Sequence, residues 1–223
     1  MIEILILIPI QDREISDVTL SALFYARSSV RAEYGISYTP VTWAGNEVLG
    51  KKLNTGLQSI KGREFDYLMI LGSDDLLHPD AWKYIKATIE AKHSSLYFGF
   101  QSCYFYDQHT HRAREWKRGG GAFAVGAGRC IHHSLIEKCE WTLWPDDLAK
   151  GLDNAQEGII QRVTGLPCDV IPTPHPVVCD IKDGRNIHPF DSSKDIEANP
   201  DEVVRLFPAL EKIRKVPPMW TQT

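Results

Sequence analysis

The chain has 223 residues, a formal net charge of −4 and 43% hydrophobic residues, which allow a sizeable core. That charge excludes a general electrostatic attraction to polyanions, so any contact with nucleic acid has to be local. The five cysteines include no Cys-x-x-Cys pair, which argues against a disulfide scaffold and favours a reducing, cytoplasmic location. We expect the opening MIEILILIPI to be a buried strand and not a signal peptide, and no window is long enough for a membrane span.

Strand and helix patterns alternate through the first half of the chain. In chain order they predict strand 4–10, helix 12–34, strand 36–45, helix 47–62, strand 66–71, helix 78–93 and strand 94–107. The first strand is apolar on both faces, which is typical of a central parallel strand. This order predicts an α/β fold with a mostly parallel sheet flanked by helices, and a ligand at the carboxyl ends of the strands.

The pattern changes after residue 107. The run HRAREWKRGGG interleaves four basic residues with Trp116; it is either a solvated loop or a patch for a diphosphate or an acidic acceptor. Residues 167–182 contain too many prolines for a helix and are predicted as edge strand and loop, followed by a polar loop. The remaining patterns predict helices over 133–141, 153–165 and 199–216, the last broken at Pro208.

Two adjacent carboxylates, Asp74 and Asp75, follow the apolar strand over 66–71. Like charges this close repel unless something compensates them. They could belong to a solvated loop that caps the next helix. They could instead bind Mg²⁺ or Mn²⁺, which take oxygen ligands and bridge carboxylates to phosphate oxygens. The first strand ends at residues 9–12, so both strand ends could line one pocket.

Several segments together resemble the nucleotide-diphospho-sugar glycosyltransferases of the GT-A fold, in particular the inverting family 2. The resemblance covers about residues 4–100 and is carried by ILILIPI, by KKLNTGL and by LMILGSDDLLHPDAW. Many members have an aspartate where this chain has Gly72 or Ser73, a departure that bears on contacts to the ribose. The resemblance implies one Rossmann-like GT-A domain over residues 1–223, in which 1–107 bind the nucleotide sugar and 108–223 form the acceptor side and a C-terminal helix.

The resemblance also implies a role for each matching position. Asp75 would ligate Mn²⁺ or Mg²⁺, and Asp74 would contact the ribose or a metal-bound water. The catalytic base would lie at the start of a later helix, where Asp153 is the first candidate and Glu157 the second. His188, in the polar loop, is a candidate late metal ligand. The other candidates for binding the nucleotide sugar are Pro9, Ile10, Gln11, Lys52, Asn54 and Ser73.

Structural roles remain open for the same residues. Asp153 has Gln156 three residues on, which is typical of a capping box. His188 could be a solvated loop histidine. Trp141 and Trp144 could form a stacking platform for a carbohydrate or belong to the core.

The family likeness implies a metal-dependent enzyme that moves a sugar, with inversion, from a nucleoside diphosphate sugar, with uridine as the base, to a hydroxyl. The acceptor could be a saccharide, a lipid-linked glycan or, with less support, DNA. One alternative is a sugar-phosphate nucleotidyltransferase, but the glycine-rich loop with arginine expected after the first strand is missing from IPIQDREIS. The other alternative is a non-catalytic protein of this fold that binds carbohydrate or takes part in an assembly.

Overall fold

The computed structural model describes residues 1–10, 14–91, 95–186, 190 and 196–214. Within these ranges the strands are β1 (Ile2–Ile10), β2 (Ile36–Ala44), β3 (Tyr67–Ile70), β4 (Asp75–Leu77), β5 (Tyr97–Phe100), β6 (Ser102–Asp107), β7 (Ala113–Lys117), β8 (Arg129–His132), β9 (Asp169–Ile171), β10 (Val178–Lys182) and β11 (Ile196–Ala198). The helices are α1 (Glu14–Tyr34), α2 (Leu49–Ser59), α3 (Asp80–Glu90), α4 (His133–Lys138), α5 (Leu152–Thr164), α6 (Pro200–Leu206) and α7 (Leu210–Arg214).

The first sheet has the strand order β2-β1-β3-β8-β5-β9 in the described part of the chain. Strand β1 runs parallel to β2 and β3, and β5 runs parallel to β9, whereas β8 is antiparallel to both of its neighbours. The centre of β1 is buried on both faces: Ile4, Ile6 and Ile8 pack with side chains from α1 and α3, and Leu5 and Leu7 with side chains from α2, α4 and α5. The predicted α/β fold, a mostly parallel sheet flanked by helices, is therefore confirmed.

The second sheet has the order β11-β7-β6-β10-β4 among the described residues. Strand β4 begins shortly after β3 ends, so residues 71–74 connect the two sheets. Helices α6 and α7 cover this sheet through a third apolar cluster. They meet near Pro208, where the break in the C-terminal helix was predicted.

Three sequence predictions differ from the structure. The strand predicted over 94–107 is not one strand, because β5 and β6 belong to different sheets. Both runs are apolar and buried, and the polar Gln101 between them marks the break. Of the two alternatives for the basic run, the solvated loop is wrong for residues 113–117, which form β7 and pair with β6, with Trp116 stacked on Phe105. The edge-strand prediction is correct for β9 but wrong for β10, which lies between β6 and β4 because its prolines precede the strand.

Candidate active site

A cavity of about 230 Å³ lies where β3 of the first sheet leads into β4 of the second. It is at the carboxyl ends of β1 and β3, the edge at which α/β sheets bind ligands. Pro9 and residues 70–75 form one part of its lining, and residues 125–127 and 151–153 form another. Both halves of the chain therefore contribute to the cavity.

Three aspartates meet at one side of the cavity. Oxygens from the carboxylates of Asp74, Asp75 and Asp180 all lie within 4.8 Å of one another. Strand pairing causes this, because Asp75 of β4 lies opposite Asp180 of β10 in the antiparallel register. The backbone N–H of Ile181 also donates to the carbonyl of Asp74, at 2.8 Å. Oxygen ligands at this spacing fit a divalent cation such as Mg²⁺ or Mn²⁺.

Asp75 is the most buried member of the three, with 6% of its surface exposed. Burial raises its pKa well above the ordinary value, and the charges of Asp180 and Asp74 raise it further. The backbone N–H of Gly72 donates to Asp75 Oδ2 at 2.5 Å and opposes this shift in part. The ionised form of Asp75 is therefore disfavoured unless a cation compensates it.

Gly72 lies directly against the carboxylates of Asp74 and Asp75. A Cβ atom placed on Gly72 would lie 2.6 Å from an Asp74 oxygen and 2.7 Å from an Asp75 oxygen. Because real Cβ atoms do not approach oxygen this closely, a larger residue would push the two carboxylates apart. The glycine thus leaves room for the cluster.

Two further polar side chains complete what we call the acidic wall, which consists of Asp74, Asp75, Asp180, Lys182 and Asn186. Lys182 Nζ lies 2.5 Å from Asp180 Oδ2. Burial alone would lower the pKa of Lys182, but the adjacent Asp180 raises it above the ordinary value, so the ammonium stays charged. Asn186 Nδ2 donates to Asp74 Oδ2 at 2.7 Å and to Asp180 Oδ1 at 3.4 Å, which ties the two carboxylates together.

The other side of the cavity is formed by the first turn of α5. Gly151 caps this helix with a φ of 72°, and Asp153 lies inside it, so the capping-box interpretation of Asp153 is wrong. Asp153 lines the cavity and faces Gly126, where a Cβ atom would collide with the Asp153 carboxylate. The glycine therefore makes room for Asp153.

Two arginines lie behind this turn, and together with Asp153 and Glu157 they form what we call the arginine-backed wall. Arg129 is fully buried and donates to the carbonyl of Asp153 at 2.9 Å, and also to the carbonyls of residues 124 and 125. Glu157, one turn beyond Asp153, accepts from Arg118 at 2.7 Å and lies 3.6 Å from Arg129 Nη2. The Glu157 carboxylate is thus engaged in a network that holds α5 against residues 124–129.

The residues predicted to bind the nucleotide sugar fall into two groups. Pro9, Ser73 and Asp74 line the cavity. Lys52 and Asn54 instead make internal contacts: Lys52 Nζ donates to the carbonyl of Ile10, and Asn54 bonds to backbone atoms of residues 143 and 144 and to Asp146. Burial lowers the pKa of Lys52. These two side chains fix the end of β1 and the loop over α2, next to the cavity.

Two of the predicted site residues, Gln11 and His188, lie outside the described residues. Of the aromatic candidates, Trp144 lines the cavity, while Trp141 packs in the core. Trp116 from the basic run also lines the cavity and stacks on Phe105 with ring centroids 5.5 Å apart.

The sequence analysis missed Asp180, Lys182 and Asn186. A signal was present, because VVCDIK is an apolar strand interrupted by opposite charges at positions i and i+2, which share one face of a strand. Charged side chains on a buried face need partners or a ligand. The position of that face relative to Asp75 could not be deduced from the strand alone.

Taken together, the fold is that of the GT-A glycosyltransferases, as predicted. The crystal structure of S. aureus TarS 1–349 superposes with a TM-score of 0.51 at 11% identity, over 81% of this chain and 60% of that one. The complex of TarS 1–349 with UDP-GlcNAc gives 0.47 at 11% identity, over 95% and 65%. A mutant of Drosophila β-1,4-galactosyltransferase 7, in complex with manganese, UDP-Gal and xylobiose, gives 0.46 at 15% identity, over 96% and 80%.

The chain spans about 60% of the length of TarS 1–349, and at such low identity the likeness establishes the fold alone. At the level of sequence, no protein-family model and no curated protein matches the chain. Among the helices in the described ranges, none combines the length and the apolar character that crossing a membrane requires.

Proposed function

We propose that this protein is a metal-dependent glycosyltransferase that moves a sugar from a uridine diphosphate sugar to a hydroxyl group. The observation that carries the proposal is the cluster of Asp74, Asp75 and Asp180 in a cavity at the carboxyl ends of β1 and β3. A buried carboxylate among two others is costly unless a cation is present. The GT-A fold supports the transferase activity, and the family resemblance supports uridine and inversion.

The three aspartates would hold the cation. Asp75 and Asp180 lie on neighbouring paired strands, and Asp74 precedes Asp75 in the chain. A divalent cation bound there, Mn²⁺ or Mg²⁺, would neutralise charge on the diphosphate of the donor. His188 remains a proposed additional ligand. The proposal is supported by Asn186, two residues earlier in the sequence, which contacts Asp74 and Asp180.

Residues 1–107 would bind the nucleotide sugar in this proposal. Pro9, Ser73 and Asp74 line the cavity and would contact the nucleotide sugar directly. Ile10, the last residue of β1, and Gln11, which lies outside the described residues, are further proposed contacts. Lys52 and Asn54 would act indirectly, because their side chains hold the backbone around that end. We propose that the whole chain acts as one domain, since strands from both halves pair in the second sheet.

Asp153 is the proposed general base. It lines the same cavity as the aspartate cluster and would accept the proton of the acceptor hydroxyl. The hydroxyl oxygen would attack the sugar carbon from the face opposite the diphosphate, and the electron pair of the broken bond would stay on the diphosphate. Glu157 is the second candidate, and its two arginine partners favour a supporting role.

The acceptor side is proposed to come from residues 108–223, with a saccharide, a lipid-linked glycan or DNA as the acceptor. Trp116 and Trp144 line the cavity, which supports a carbohydrate. A cytoplasmic location is part of the proposal, and it is supported by five cysteines that are all buried free thiols.

Calorimetry with a panel of nucleotide sugars, with Mn²⁺ and with a chelator, tests the proposal. We expect that UDP-sugar binding requires the metal. Binding should weaken at least about a hundredfold in Asp75→Ala, because the contact of Asp75 with the metal and the contact of the metal with the diphosphate are both lost. Asp169→Ala is the matched control, since that carboxylate is exposed on β9. Unchanged donor affinity in Asp75→Ala would refute the proposal, and metal-dependent binding without transfer or hydrolysis would favour the non-catalytic alternative.

A further inference from the structure

Lys182 is a charged side chain that is enclosed in the cavity. Only 3% of its surface is exposed, and its ammonium lies 4.0 Å from the centre of the Phe105 ring. It projects from the end of β10, on the same face as Asp180, and it lines the cavity together with the aspartates. A buried lysine is costly unless its charge is compensated, so its position in the cavity needs an explanation.

The charges of the acidic wall supply part of that explanation. Three carboxylates and one ammonium have a formal charge of −2, which a single divalent cation balances. Lys182 Nζ lies 2.5 Å from Asp180 Oδ2. Asp180 belongs to the cluster of three carboxylates whose oxygens lie within 4.8 Å of one another. A metal that takes Asp180 Oδ2 as a ligand would therefore compete with the ammonium for that oxygen.

The surroundings of Lys182 also indicate where its hydrogen bonds can go once a metal has taken Asp180. An ammonium has three donor hydrogens, whereas the Phe105 ring face offers only a cation–π contact. Lys52, the other buried lysine among the described residues, differs from Lys182 because its ammonium donates to a neutral backbone carbonyl, that of Ile10 at the end of β1. A diphosphate bridged to the metal would bring anionic oxygens to Lys182 within the same cavity.

We propose that Lys182 is a resident cation of this site, which holds Asp180 in place before the metal binds, yields to the metal there, and then donates to the diphosphate of the donor. This inference rests on the proposed function, since it assumes a metal and a diphosphate in the cavity. Lys182 would thus provide a second positive charge for the leaving diphosphate, in addition to the metal.

The test compares the wild type with Lys182→Met, which keeps a side chain of similar length without the charge. Calorimetric titration with Mn²⁺ alone should give at least about tenfold tighter binding in the variant, because the competing ammonium is gone. Titration with UDP at saturating Mn²⁺ should give at least about tenfold weaker binding, because a charged donor to the diphosphate is lost. The two affinities therefore change in opposite directions.

Lys117→Met is the matched control. It removes one positive charge from the same sheet, but Lys117 is an exposed residue paired with Glu115, so both affinities should stay at the wild-type values. Lys182→Gln repeats the test with a polar side chain in case Lys182→Met does not fold, which circular dichroism and thermal unfolding would reveal. Equal or weaker Mn²⁺ binding in the folded variant, or unchanged UDP binding, overturns the inference.

The Asp75→Ala variant separates this inference from the proposed function. If Asp75→Ala binds Mn²⁺ and UDP as the wild type does, the assignment of the metal site to this cluster is wrong. If Asp75→Ala loses binding while Lys182→Met leaves both affinities unchanged, the metal site stands and the role given to Lys182 is refuted.

Discussion

The acidic wall and the arginine-backed wall face the same cavity but balance their charges differently. In the arginine-backed wall, Arg118 and Arg129 pair with the Glu157 carboxylate, and Arg129 also donates to the backbone carbonyl of Asp153. In the acidic wall, the three carboxylates of the cluster lie near one ammonium, that of Lys182. The four charged groups of the arginine-backed wall have a formal charge of zero, whereas the four charged groups of the acidic wall have a formal charge of −2.

This difference separates scaffold from ligand site. A buried charge with a fixed partner holds neighbouring elements together, as Arg129 holds the first turn of α5 against residues 124–125. A buried excess of one sign costs stability unless a ligand of the opposite sign arrives. We infer that the arginine-backed wall positions Asp153, while the acidic wall is organised for a cation and a diphosphate.

The largest expected effect concerns Asp153. Asp153→Asn keeps the shape of the side chain but removes the proton acceptor, so the rate of sugar transfer should fall about 10²–10⁴-fold. Binding of UDP with Mn²⁺ should not change, because the acidic wall is intact. Transfer would be followed as UDP release in the presence of an acceptor.

Glu157→Gln is the comparison for that variant. It leaves Arg118 and Arg129 without their carboxylate, so the free energy of unfolding should fall by about 1–3 kcal/mol in a chemical denaturation experiment. The transfer rate of the folded enzyme should change much less than in Asp153→Asn. If Glu157→Gln lost transfer while Asp153→Asn retained it, the two roles would be reversed.

The second effect concerns Asp180, which the strand pairing places opposite Asp75. Asp180→Asn removes the charge of one proposed metal ligand and should weaken Mn²⁺ binding by about a hundredfold. Residues that only orient metal ligands contribute about 10–100-fold, so a direct ligand is expected to reach the upper end of that range. Titration with Mn²⁺ monitored by calorimetry measures this loss. An affinity equal to that of the wild type would mean that the cation binds without Asp180.

A third prediction alters the arginine-backed wall without touching a charge. The added methyl group in Gly126→Ala would displace the Asp153 carboxylate, so the transfer rate should fall at least about tenfold, since small misplacements of catalytic groups are costly. Metal and UDP affinities should stay constant.

Gly158→Ala is the control on the same helix, because nothing lies within 4 Å of the added atom. It should raise stability by about 0.5–1 kcal/mol, since glycine is unfavourable inside a helix, and leave the rate unchanged. Equal rates for Gly126→Ala and the wild type would argue against Asp153 as the base.

The smallest effect is expected from Asn186→Ala. This side chain bridges Asp74 and Asp180 by hydrogen bonds but carries no charge. Its loss should weaken Mn²⁺ binding by about tenfold, the lower end for residues that orient metal ligands. A loss as large as that of Asp180→Asn would indicate that Asn186 is itself a ligand.

Much of the scaffold could be predicted from local patterns. The apolar run of β1, the helix that ends before Gly35 and the strand before Asp74 are each encoded by neighbouring residues. The prediction of one strand over 94–107 was wrong because β5 and β6 are both apolar and follow each other closely. What distinguishes them is their pairing partners. The solvated-loop interpretation of the basic run was wrong for β7, because its sequence AREWK is mostly charged and does not show the alternation typical of a buried strand.

Local patterns also pointed to the part of the cavity lining that lies at strand ends, namely Asp74, Asp75 and Pro9, because a strand that ends in carboxylates is visible in a short window. The third carboxylate required the folded chain. Asp180 meets Asp75 through the register of β10 against β4, which depends on the packing of segments far apart in the chain. The same holds for Arg129, whose partners on β5 and α5 come together only when the sheet and its helices are assembled.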